Sequence, residues 1–298
     1  MSGSRSVVSA ALQADAEFYR MLVLDLDRTL LTRDLEVSPV DIRAAEALRE
    51  RGVVVTIATG RLYGGTRPVA AALGVEGPVA TMNGSEVVDT RTHEVIVGNY
   101  VSREALEVVR ASLWDAGVEA VSLFGSEMIH VGAAMAPYVD HVRMWCDEVR
   151  EWEAFYQAPV WGSERRPLAV WAVAEESLLE RAAERIRGQV DTSIYEVLCF
   201  PSERLGRAVF IFRDQREDKG TALRRLATMA GVLPEQCVCV GDWVNDVPML
   251  RTEALSYAMA GTPQWLHAYA DRLAETESHA DGGIVAELAR SVWGVDVD

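Results

Sequence analysis

The sequence predicts an α/β fold: a Rossmann-like parallel-sheet core with helices on both faces, plus an inserted α+β domain. Three observations carry this reading. Short apolar, β-branched runs alternate with helical stretches at both ends of the chain, as parallel βαβ units require. Acidic and polar residues fall at the carboxyl ends of those runs, where open parallel sheets gather their functional groups. The middle of the chain loses the rhythm and reads as hairpins mixed with helices.

Taken in order, Met21–Leu24 is a buried strand that ends in Asp25 and Asp27. Pro39–Arg51 has helical spacing, with Ile42, Ala45 and Leu48 on one face and Gly52 as its stop. Val53–Ala58 is the second strand, followed by the turn Thr59-Gly60-Arg61 and a helix to about Leu73. Val79–Met82 is the third, ending at Asn83-Gly84. The rhythm returns with a helix over Lys219–Gly231, a strand over Cys237–Val240, a helix over Val247–Arg251 and a short strand over Ala254–Ala258. Between them, Val87–Asp89 with Glu94–Val97 and Val118–Leu123 with Met128–Val131 read as hairpins. Strands at Leu168–Ala174 and Val209–Phe212 and helices at Ser102–Ala116 and Ser177–Arg187 complete the middle. The expected organisation is an N-terminal extension over 1–19, a core from 20–85 and 207–298, and an insert over 86–206.

The chain has 298 residues, enough for one large core with a smaller inserted one. Lys and Arg number 29 against 45 Asp and Glu, a net charge of −16 that argues against a nucleic-acid binder or an anionic membrane surface. No run approaches the ~20 apolar residues of a membrane span, and the first twenty residues lack the apolar stretch of a secretory signal. Four cysteines are too few for a disulfide scaffold, so a reduced, cytoplasmic protein is expected. Cys237 and Cys239 read as one face of a buried strand, since no second Cys or His pair lies nearby to complete a metal site.

The chemistry concentrates at four places. Asp25 and Asp27 are two apart after a strand, so both carboxylates can face one site while Leu26 faces the core. Their mutual repulsion is relieved by a divalent cation. Gly241-Asp242-Trp243-Val244-Asn245-Asp246 places a second set of hard oxygen donors after another strand. Lys219 opens a helix, where its charge opposes the dipole and calls for an anionic partner. Thr59-Gly60 supplies a hydroxyl and a backbone N–H at a strand-to-helix turn, a phosphate cradle. Each alone has a plainer structural reading: a solvated strand end, a helix N-cap or a solvated lysine.

In this order they resemble the haloacid dehalogenase superfamily of phosphohydrolases, and within it the Cof-type branch with a large cap inserted between the second and third motifs. The resemblance rests on DLDRTLL at Asp25–Leu31, IATGR at Ile57–Arg61, DKGTAL at Asp218–Leu223 and GDWVNDVPML at Gly241–Leu250. MNG at Met82–Gly84 and ESHADGG at Glu277–Gly283 extend it. The resemblance implies that Asp25 is the nucleophile that forms an aspartyl phosphate and that Asp27 is the general acid and then base. It implies that Thr59 and Lys219 hold the phosphoryl oxygens, and that Mg²⁺ sits among Asp25, the Asp27 carbonyl and Asp242. Asn245 and Asp246 would orient water on the ion or Lys219, and Gly60, Arg61 and Asn83 would support the substrate. The family usually carries glycine where this chain has Arg28; that side chain is expected to point out of the site and be tolerated, with a substrate contact by its guanidinium as the alternative.

The expected partner is a small phosphorylated metabolite, a sugar or polyol phosphate chosen by the cap, with monomer and homodimer both open. Phosphoryl transfer to another hydroxyl, or a catalytically impaired ligand-binding module on the same scaffold, are the alternatives. The cap tryptophans Trp114, Trp145, Trp152, Trp161 and Trp171, with His130 and His141, read chiefly as core or cap-interface residues.

Overall fold

The computed structural model describes residues 17–278 and 281–297, so most of the expected 1–19 extension and part of the Glu277–Gly283 stretch lie outside the described residues. The contacts divide the chain into two units. The first takes the described residues to Gly60, Arg67–Ile96 and those from Asp218 onward; the second takes Arg61–Thr66 and Val97–Glu217.

In the first unit, β1 (Met21–Leu24) is apolar throughout, and every side chain is at most 1% exposed. Such a run suits a parallel strand covered on both faces. Ser38 caps α1 (Pro39–Glu50) by accepting from the Asp41 N–H, and Ala44, Ala45 and Leu48 are the buried face. The chain continues through β2 (Val54–Ile57) and α2 (Tyr63–Ala72) to β3 (Pro78–Thr81).

Here the structure corrects the sequence reading. Instead of extending the parallel sheet, β3 pairs antiparallel with β4 (Glu86–Asp89), which neighbours β5 (Val95–Gly98) in a separate three-stranded sheet. A parallel bridge between Ala58 and Ala80, with the Thr59 N–H bonded to Ala80 O, still sets β3 beside the end of β2. The cause is the turn between the strands: Met82 and Asn83 both take left-handed backbone, φ 48° and 54°, which sends the chain straight back. The pairing also places Glu86–Asp89 in the first unit rather than in an insert beginning at residue 86.

The second unit adds α3 (Arg103–Asp115), β6 (Ala120–Phe124), β7 (Ile129–Gly132), α4 (Val139–Val142), β8 (Val149–Trp152) and β9 (Ala169–Ala174). Next come α5 (Glu176–Arg187), β10 (Tyr195–Ser202) and β11 (Arg207–Asp214). Its sheet runs β10-β11-β9-β6-β7-β8, antiparallel except for β7 with β8. Leu106, Val109 and Leu113 of α3 and Leu179, Ala183 and Ile186 of α5 join one apolar cluster with Val121, Val170 and Phe210 from the strands. The i, i+3, i+4 and i+7 spacing places those helix residues on one face. Since β11 lies inside this sheet, the unit extends beyond the expected end at residue 206. Leu62 and Gly64 belong with it through N–H bonds to the Trp145 and Ser126 carbonyls.

The chain returns to the first unit through α6 (Lys219–Ala230), β12 (Cys237–Gly241), α7 (Val247–Leu250), β13 (Leu255–Ala260), α8 (Gln264–His267), β14 (Arg272–Glu277) and α9 (Ile284–Trp293). The parallel sheet has the order β14-β13-β12-β1-β2. Leu24 is level with Val240 on one side and Ile57 on the other. That register makes Asp25, Thr59 and Asp242 emerge at the same edge of the sheet.

Candidate active site

Asp25 leaves β1 with extended backbone, φ −76° and ψ 161°, and is buried. Lys219, the first residue of α6, reaches it with Nζ 2.5 Å from Asp25 Oδ1 and 2.6 Å from Asp246 Oδ1. The unfavourable dipole position of Lys219 is thereby explained: two buried carboxylates hold it. Asp218 caps the same helix through the Thr221 N–H, fixing where Lys219 starts.

Asp246 is a junction. Its Oδ2 accepts the backbone N–H groups of Asp242 and Trp243, each at 2.9 Å, while Oδ1 takes Lys219. The turn after β12 closes tightly around it: a Cβ on Gly241 would lie 2.4 Å from Asp246 Cγ, so only glycine fits there. Asp242 receives Ser278 Oγ at 3.4 Å and lies 3.2 Å from Arg28 Nε at the same Oδ2.

The electrostatics follow from burial. Asp25 is pushed up to about 8 by desolvation and by the Asp246 charge, against the pull of Lys219. Asp242 rises to about 7 through desolvation and Asp246, opposed by Arg28 and Lys219. Burial acts to lower the Lys219 ammonium, but Asp246 and Asp25 outweigh it and hold it well above its ordinary value. Three carboxylates therefore share too little positive charge. One oxygen from each of Asp25, Asp242 and Asp246 lies within 4.8 Å of the others. With both Asp246 oxygens already engaged, Asp25 and Asp242 are the side chains fitted to hold a hard divalent cation.

The remaining candidates are placed as follows. Thr59 is buried after β2, donating its N–H to Ala80 O and accepting from Asn83 N. Asn245 Nδ2 donates to Asn83 Oδ1 at 3.1 Å, and this pair lies over Gly60, 3.4 Å from where a Cβ would stand. Asp27 is half-buried in the irregular turn after β1. Arg61 groups with the second unit. Arg28 takes left-handed backbone, φ 64° and ψ 2°, the conformation that glycine adopts freely. Sequence reasoning assigned no role to Ser278 or to Trp243, whose ring centre is 5.1 Å from the Arg28 guanidinium. The only local signal for Trp243 was an aromatic set directly beside a strand-end aspartate.

A buried lysine shared by two aspartates at the carboxyl edge of a parallel α/β sheet can hold an anion beside a carboxylate nucleophile. A match to the haloacid dehalogenase-like hydrolases spans residues 22–288, and the chain belongs to that family. A curated relative from Serratia proteamaculans, an HMP-PP phosphatase, is 29% identical over 246 residues, covering 78% of this chain and 81% of its own. Among solved structures, a haloacid dehalogenase-like hydrolase from Bacteroides thetaiotaomicron superposes with a TM-score of 0.74 at 22% identity, over 90% of this chain and 98% of that one. The subclass IIB sugar phosphatase BT4131 gives 0.64 at 19% identity, over 90% and 97%. At such identities the structural likenesses speak to fold. Among the described residues no helix is long and apolar enough to cross a membrane.

Proposed function

We propose that this protein is a Mg²⁺-dependent phosphatase acting on a sugar or polyol phosphate through an aspartyl-phosphate intermediate. The observation that carries this reading is Lys219 Nζ, shared between Asp25 and Asp246 beside Asp242 at the carboxyl edge of the sheet. Asp25 attacks phosphorus; its new O–P bond forms as the ester P–O bond breaks. Lys219 engages Oδ1, which leaves Oδ2 as the attacking oxygen. Asp27 gives its proton to the departing alkoxide and then takes one from the water that cleaves the aspartyl phosphate. Thr59 and Lys219 stabilise charge on the phosphoryl oxygens.

Asp25, Asp242 and the Asp27 carbonyl would hold Mg²⁺, whose charge favours the ionised nucleophile and neutralises the phosphate. Asp246 positions Lys219 and the Asp242 backbone, while Asn245 and Asn83 line the Gly60 turn. The inserted second unit selects the substrate in this reading.

Phosphate release from a panel of sugar, polyol and other metabolite phosphates, with and without Mg²⁺, tests the proposal. HMP-PP belongs in the panel because a relative is named for it. Asp25→Asn is expected to abolish release with the fold retained, and continued turnover in that variant would overturn the nucleophile. Failure of an added alcohol to capture phosphate supports water as the acceptor.

A further inference from the structure

Arg28 is unused by the mechanism above, yet three features bind it to the site. It holds a left-handed backbone that a side chain resists. Its Nε lies 3.2 Å from Asp242 Oδ2, a contact of charges without hydrogen-bond alignment, since that nitrogen is buried and donates to nothing. Its guanidinium carbon stands 5.1 Å from the ring centre of Trp243, a residue that is 42% exposed and packs edge-on against Trp265.

The two cations near Asp242 differ in their freedom. Lys219 is fully buried and fixed by two carboxylates, so it cannot leave. The Arg28 side chain is 40% exposed, and the Trp243 face offers its guanidinium a cation–π contact independent of Asp242. A divalent ion on Asp242 would meet a like charge at contact distance, and the flexible partner is the one that yields.

From this geometry we propose that Arg28 is a tethered counter-cation. It compensates Asp242 in the metal-free protein, releases it when Mg²⁺ binds, and so weakens the protein's affinity for the ion. On release the guanidinium rests against Trp243. The proposal depends on the Mg²⁺ reading, and the experiment separates the two.

Isothermal titration of the full-length protein with MgCl₂ measures Kd directly, without turnover. Arg28→Gln and Arg28→Gly are each expected to tighten Kd by about fivefold, the upper range for a partly exposed ion pair. Arg224→Gln, which removes a charge of the same unit paired with Glu253, controls for overall charge and is expected to leave Kd unchanged. Mg²⁺ is also expected to change tryptophan emission in the parent protein, with the change lost in Trp243→Phe. Circular dichroism confirms folding, and Arg28→Gln retains a side chain should the glycine variant fail. A Kd in Arg28→Gln equal to that of the parent, or an equal tightening in Arg224→Gln, overturns the proposal. Absence of Mg²⁺ binding in every form overturns the Mg²⁺ reading itself.

Discussion

At the scale of single residues, Lys219 is the keystone charge. Its ammonium bonds both Asp25 and Asp246, and all three side chains are buried. Replacing Lys219 with Met leaves two buried carboxylates uncompensated, and loss of such a partner costs about 3–5 kcal/mol. Urea denaturation of the metal-free protein is expected to show a loss of this size, and a loss below about 1 kcal/mol would contradict it. The gathering of Asp25, Lys219 and Asp242 was legible, because an aspartate at each of two strand ends and a lysine at a helix start, taken together and in this order, pointed to one site. Ser278 and the Arg28–Trp243 contact were not. They depend on side chains meeting across segments distant in sequence, and no local pattern encodes that meeting. Likewise, the glycine usual at position 28 hinted at left-handed backbone, but only the structure shows where the guanidinium goes.

At the scale of elements, the best-defined joint is α1 with α9. Asp41, fully buried on α1, accepts the N–H groups of Gly283, Val285 and Ala286 at 2.6–3.2 Å, and Ser38 Oγ donates to it at 2.7 Å. One carboxylate thus caps a helix that begins more than two hundred residues later. Asp41→Ala is expected to cost about 2–3 kcal/mol by equilibrium unfolding, because three backbone donors lose their acceptor. In the second unit, Trp152 Nε1 donates to His130 Nδ1 at 3.2 Å, tying β8 to β7. Desolvation, with a smaller contribution from Arg150, lowers the His130 pKa below its ordinary 6.5. The unfolded chain therefore takes up the proton first, so the stability from neutral His130 is present above pH 6.5 and is lost as pH falls through the folded value. Proton NMR is expected to find His130 titrating below 6.5, and His130→Gln should flatten the loss of thermal stability in that acidic window. The elements hardest to read were edge strands: β10 and β14 are mixed in polarity, with exposed Leu198, Phe200 and Leu273, because an edge faces solvent and does not need a continuous apolar run.

At the scale of the molecule, the first unit is built from both ends of the chain, and its acidic site lies where they meet. A ligand bound only by the folded state stabilises it by mass action, about 2.7 kcal/mol at a hundred times its Kd. Mg²⁺ is therefore expected to raise the midpoint of calorimetric unfolding for this unit, with EDTA reversing the gain and Asp242→Asn removing most of it. An unchanged midpoint at saturating Mg²⁺ would contradict the site. The alternating strands and helices at both ends made this architecture readable. The boundary at β11 was not, since an antiparallel strand beside an α6 that starts at Lys219 carries no mark of which sheet it will join.

The sheet order has a further consequence for how the protein is made. β1 lies between β2 and β12, but a ribosome delivers β2 at once and β12 only after the whole intervening unit. Throughout that interval a wholly apolar strand keeps one ladder of backbone groups bare, and such edges recruit other chains. A nascent polypeptide stalled before Cys237 is thus the species most in need of a chaperone, and completion of translation is what protects it.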